Sequence, residues 1–156
     1  MIRSALLTAA AGLGLAACVS TPVTTSNGSE AVQRNQPIPA TGQGLNAYRS
    51  NSGAPAVKRS ARLDAAARAH AIDMARNDFF SHRGSRGSTH TQRIQRQGCS
   101  GGAENIAEGP FTRQSVMAAW MRSPGHRANM LRPINTHYGI ANVGDKWVLL
   151  LSRNCP

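Results

Sequence analysis

Hydrophobic positions along the 156-residue chain fall into three regimes. Residues 5–17 (ALLTAAAGLGLAA) are apolar or small except Thr8. Residues 19–42 (VSTPVTTSNGSEAVQRNQPIPATG) show no helical or strand period and have the composition of a flexible tether. From residue 43 the apolar positions become periodic. Gln43 to Ser50 predicts a short helix carrying Leu45 and Tyr48, ended by Asn51-Ser52-Gly53; Ala54-Pro55 then keeps the chain extended. Ser60 is placed to cap a long helix through about Asn77. Leu63, Ala67, His70 and Met74 make one stripe on it, and Ala65, Ala69, Ile72 and Ala75 a second. Apolar positions on two faces predict a helix sandwiched between layers. Asp64 and Arg68 have the spacing of an i,i+4 ion pair.

Arg83 to Ser88 (RGSRGS) reads as a loop, and Thr89 as the start of a short basic helix ending at Gly98. Thr112 is placed to cap a helix holding Val116, Ala119 and Trp120, and Ser123-Pro124 to interrupt it and open a last short helix. His137 to Asn142 and Lys146 to Arg153 alternate weakly around Gly144-Asp145, a hairpin pattern. Helices first and strands last predict an α+β domain over residues 43–156, long enough to bury about two thirds of its unfolded surface. His70, Trp120, Met117, Met121 and Met130 are expected in the core, and His90 and His137 at exposed or turn positions.

The apolar run at 5–17 is too short for a membrane span, which needs about 20 residues. With Met1-Ile2-Arg3 before it, it reads as a signal peptide over 1–17. It ends Leu15-Ala16-Ala17-Cys18, which resembles the bacterial lipoprotein signal in which the cysteine is lipidated and becomes the mature N-terminus. Ordinary cleavage that leaves Cys18 incidental is the alternative. A lipidated Cys18 leaves Cys99 and Cys155, a pair expected to oxidise outside the cytoplasm, with two unpaired thiols as the alternative. Residues 18–42 are then the lipidated terminus and linker. The protein is expected as a monomer in the cell envelope, on the periplasmic face of a membrane; Val19 is compatible with the outer membrane.

Charge narrows the partners. Lys+Arg is 18 and Asp+Glu 7, a formal charge of +11, and only Lys58 and Lys146 of the cations are lysine. Arg83, Arg86, Arg93 and Arg96 cluster, as do Arg122, Arg127 and Arg132. Genome base composition alone can produce so much arginine; the functional reading is attraction to anionic lipid or acidic glycan. Aromatic content of 4% gives no base-stacking surface, and nucleic acid is not expected as a partner.

Three motifs carry candidate chemistry: Phe79-Phe80-Ser81-His82, Ala103-Glu104-Asn105-Ile106-Ala107-Glu108-Gly109, and Trp120-Met121-Arg122-Ser123-Pro124-Gly125-His126-Arg127-Ala128-Asn129. In this order and spacing they resemble the bacterial branch of the CAP superfamily, which includes cysteine-rich secretory proteins, venom antigen 5 and plant pathogenesis-related proteins. The resemblance runs from about Leu45 to Cys155. It implies a three-layer α-β-α sandwich around a small antiparallel sheet, with a cleft holding two His and two acids. By motif these are His82, His126 and Glu104; the second acid is replaced here by Ser123.

Two imidazoles and a carboxylate can hold Zn²⁺ with an open position for water. They can equally form a charge-coupled cluster, or serve only to tie down loops together with Asn105. A nucleophilic Ser81 or Ser123 has no supporting elbow motif. The leading expectation is a non-catalytic module that binds an envelope component, whether lipid, sterol-like ligand or glycan; the resemblance, not the spacing, implies it. The rival is a metal-assisted hydrolase or peptidase, with His82 and His126 on a divalent metal such as zinc and Glu104 as its candidate catalytic group.

Overall fold

The computed structural model describes residues 44–156. The expected signal peptide, the expected lipidation site Cys18 and the expected tether through residue 42 lie outside the described residues. The apolar patterning resolves into α1 (Leu45–Asn51), β1 (Lys58–Arg59), α2 (Ala61–Arg76), α3 (His90–Gln95), β2 (Ser100–Glu108), α4 (Arg113–Arg122), α5 (Pro124–Leu131), β3 (His137–Val143) and β4 (Lys146–Asn154). The strands form one sheet in the order β1-β3-β4-β2. Pairing is antiparallel as expected for β2 with β4 and β3 with β4, while the two-residue β1 adds a short parallel pair with β3.

Helices cover both faces of this sheet, giving the expected α-β-α sandwich. Leu63, Ala67 and Met74 of α2 and Ile94 of α3 pack with Ile106, Val148 and Leu150 on one face. Leu45 of α1, Val116 and Trp120 of α4 and Met130 of α5 pack with Ile140, Leu149 and Leu151 on the other. Residues of the central strand β4 therefore serve the two cores alternately. Its Trp147–Leu151 run is buried throughout rather than alternating, as a strand covered on both sides requires. Gly139 of β3 lets α2 approach closely: a Cβ there would sit 2.2 Å from the Leu63 carbonyl carbon.

Thr89 and Thr112 each close a capping box at the predicted helix starts, and Gly144 turns the predicted hairpin with φ 60°. Three expectations are corrected. Ala65, Ala69 and Ala75 are exposed, so α2 is buried on one face only and is an outer layer, not a sandwiched one. Ser60 occupies the N-cap of α2 without capping it; its hydroxyl lies 3.1 Å from Cys155 Sγ instead. Asp64 ignores Arg68 and turns to the sheet, accepting from the Ile140 N–H at 2.8 Å and pairing with Arg59 at 2.9 Å. Those donors are fixed and partly desolvated, whereas Arg68 is solvated.

The Cys99–Cys155 disulfide is present and joins the approach to β2 with the end of β4. Arg49 of α1 is wholly buried without a carboxylate. It donates instead to the backbone carbonyls of Pro55, Met130, Arg132 and Asn135, tying α1 to the end of α5 and the segment after it. Among the described residues no helix is long and apolar enough to cross a membrane.

Candidate functional site

The site is organised by β2, where successive side chains point to opposite faces. Glu104 faces the α2–α3 layer, and its side chain is 0% exposed. Both carboxylate oxygens are engaged: Oε1 lies 2.8 Å from His82 Nδ1, and Oε2 accepts from an Arg93 guanidinium nitrogen at 2.7 Å. The same guanidinium also donates to the carbonyls of His82 and Ser88, so α3 clamps both the carboxylate and the segment carrying His82. The His82 side chain remains 54% exposed, with the rest of its ring open to solvent.

Asn105, next along the strand, reaches the opposite layer. Its amide donates to the His126 carbonyl at 3.0 Å, fixing the first turn of α5. Asn129, one turn further along α5, donates to the Asn105 side-chain oxygen at 2.9 Å and to the Glu104 carbonyl at 3.3 Å. Trp120 of α4 donates its indole N–H to the Ile106 carbonyl at 3.0 Å. Neighbouring residues of one strand thus hold His82 from one layer and the His126 backbone from the other.

The two imidazoles share no hydrogen bond among the described residues. They are near enough for burial, with the His82 charge adding to it, to push the His126 pKa down. His90, at the start of α3, belongs to the same electrostatic neighbourhood. Burial lowers its pKa most, Glu104 opposes this, and Arg93 and His82 add to it.

The family match decides what this arrangement is: residues 43–148 match the CAP, or cysteine-rich secretory protein, family. The chain belongs to the CAP family. The uncharacterized protein YkwD of Bacillus subtilis is 35% identical over 106 residues, covering 65% of this chain and 41% of that protein. An extracellular protein of Bacillus anthracis containing an SCP domain superposes with a TM-score of 0.66 at 27% identity, covering 70% of this chain and 38% of that one. An outer surface protein of Borrelia burgdorferi superposes with a TM-score of 0.65 at 22% identity, covering 70% of this chain and 86% of that one; at that identity it speaks to the fold alone. The chain spans less than half the length of the two Bacillus proteins.

In this CAP domain the four motif positions are differently disposed. His82 and Glu104 are bonded directly. His126 lies across the strand edge, held through its backbone. Ser123, half-buried, closes α4 and opens α5, and makes no side-chain cap bond. The Ser81 hydroxyl accepts from the Arg83 N–H, and the Ser81 carbonyl is bonded by His70. Zinc needs several free donors close together. Here Glu104 has both oxygens engaged and His82 has one nitrogen engaged. Among the described residues no group of three or more His, Cys, Asp or Glu stands close enough to hold a metal. The residues do not fit a three-donor metal site as they stand. Arg93 and Asn129 have no sequence signal beyond their positions, Arg93 in the basic helix just before β2 and Asn129 inside the third motif.

Proposed function

We propose that this CAP domain is an exported binding module, held at a membrane by lipid on Cys18, whose cleft takes up an envelope component without catalysis. The observation that carries it is the full engagement of Glu104. A carboxylate buried between Arg93 and His82 is a scaffold for the cleft wall rather than a free general base. It leaves the half-exposed His82 ring, with the half-buried His126 ring set by Asn105 nearby, to offer polar recognition. The excess of arginine over acids favours an anionic component, a lipid headgroup or an acidic glycan. The similar SCP-domain protein of Bacillus anthracis is extracellular, which supports export.

The test is retention of the purified protein on a panel of envelope lipids and peptidoglycan fragments at low ionic strength, with His82→Ala/His126→Ala as the comparison. Retention lost in the double variant supports the cleft; no retention of the wild type on any member rejects the reading. Cys18→Ser is expected to move the protein from the membrane fraction to the soluble one. Zinc calorimetry addresses the hydrolase reading: micromolar binding that disappears in the same double variant would revive it.

A further inference from the structure

We propose that the outer surface of α5 and the turn after it form a docking face for an anionic phospholipid bilayer. The inference rests on the membrane-anchored reading only for bringing a bilayer within reach. Residues 44–57 and 110–135 supply α1, α4, α5 and their connections, one whole layer of the sandwich. They contain five arginines and not one acid. Every acid of the described residues belongs instead to α2, the turn after it, β2 or the β3–β4 hairpin. On α5, Pro124, Arg127 and Ala128 are exposed and Leu131 is half-buried, while Met130 faces the core. Arg122, Arg127 and Arg132 are exposed and enter no ion pair among the described residues.

This basic surface ends in an apolar tip. Ile134 is 51% exposed, the most exposed large hydrophobic among the described residues. It is the third residue of a turn that the Asn135 N–H closes on the Arg132 carbonyl at 3.3 Å, with Pro133 second. Turn tips ordinarily take Gly, Asn or Asp, so a branched apolar side chain there has no local reason. The backbone carrying it is pinned from beneath. Buried Arg49 donates to the carbonyls of Met130, Arg132 and Asn135, and the Asn135 amide donates to the Asn129 carbonyl. Ile134 is thus held outward by a fixed turn, with the charge of Arg49 behind it.

Cations around an apolar tip match a partner that is anionic at its surface and apolar just below, as a phospholipid bilayer is. A glycan would pair with the arginines and gain little from Ile134. A second copy would set an acid-free face against itself. The chain leading from Cys18 also joins the domain in this layer. Gly44 stands against α4, where a Cβ would lie 3.9 Å from Met117 Cγ, and Leu45 is buried with Val116 and Trp120. Fully extended, residues 19–43 reach about 80 Å, so lipid on Cys18 would keep the domain nearby without choosing which face meets the bilayer. The α5 face makes that choice, and at such proximity weak contacts suffice.

The experiment uses the whole chain from residue 18 as Cys18→Ser, held on vesicles by an N-terminal histidine tag and a nickel-chelating lipid. Its outcome is then independent of whether Cys18 carries lipid, which the fractionation above tests separately. A fluorophore is placed on Ala128→Cys of α5 or, as control, on Ala69→Cys of α2, and a spin-labelled lipid quenches it on contact. The α5 label is expected to be quenched on phosphatidylcholine containing about one third phosphatidylglycerol, and released at about 1 M salt, where charges act over only about 3 Å. The α2 label is expected to stay bright. Arg127→Ser/Arg132→Ser is expected to lower the docked-to-free ratio about 25-fold, at about fivefold per arginine. Ile134→Ser is expected to lower it about tenfold. The proposal is overturned if the α5 label is quenched no more than the α2 label, if phosphatidylcholine alone quenches it equally, or if either variant docks like the unchanged chain. A dimer that Ile134→Ser dissociates would give the face to a second copy. Binding to soluble polyglucuronate without quenching on vesicles would give it to a glycan. Either result also overturns the proposal.

Discussion

Replacing Glu104 by Gln asks whether this residue is scaffold or reagent. The change keeps the shape and removes the charge. Arg93, itself buried, keeps its bonds to the Ser88 and His82 carbonyls but loses its counter-ion, and the His82 bond loses its charged acceptor. Breaking a buried pair on one side costs about 3–5 kcal/mol. That is a large part of the roughly 5–15 kcal/mol that holds a domain together, and corresponds to a fall in Tm of roughly 10–20 °C. The His82 side of the network is half solvated, so His82→Ala is expected to cost less than about 1 kcal/mol. The double variant Glu104→Gln/Arg93→Met is expected to cost much less than the sum of the two single changes, because an apolar replacement leaves no orphaned charge. Urea unfolding at pH 7 measures the wild type and all four variants, Arg93→Met included. A Glu104→Gln protein within about 0.5 kcal/mol of wild type would refute the reasoning and return Glu104 to the list of groups spared for chemistry.

Arg49→Leu is expected to cost about 3 kcal/mol or more by orphaning four backbone carbonyls, with Arg49→Lys recovering only part because an ammonium lacks the fork; thermal melts showing equal loss in both would argue against the fork. Burial lowers the pKa of His70 in the folded state, so the unfolded chain binds the extra proton first. The His70 contribution to stability is therefore complete above about pH 6.5 and lost as pH falls towards the lower folded value. Urea midpoints should show the difference between wild type and His70→Gln shrinking across that window, and a constant difference would reject it. Cys99→Ser should lower stability by up to about 4 kcal/mol for a loop of 56 residues and weaken cleft retention with it. Labelling the denatured, unreduced protein should find no thiol at Cys99 or Cys155, and two labelled thiols there would reject the bond.

Legibility followed the range of each interaction. Thr89, Thr112 and Gly144 set local geometry, and their elements could be read one residue at a time. The second stripe on α2 misled because alanine is compatible with either side of a helix wall. β2 had no legible strand pattern. It opens with Gly101-Gly102 and then places Glu104 and Asn105 in opposite layers, so its pairing with β4, not its own period, makes it a strand. His82, Glu104 and His126 were found through motifs. Arg93, Asn129 and Arg49 each have a partner between 11 and 86 residues away, and no local pattern announces such partners.

The sheet also ends in an unusual way for something so small. On the outer side of β3 the parallel partner β1 stops after two residues, and Asp64 takes the next outward N–H at Ile140. On the outer side of β2, Asn129 and Trp120 take the carbonyls of Glu104 and Ile106. Each of these rungs, which a bare sheet would offer to a second molecule, is already spent within the chain. A second copy brought against either edge at high concentration meets these rungs already taken, so protection against strand-on-strand pairing comes in part from Asn129, a side chain that also holds the site.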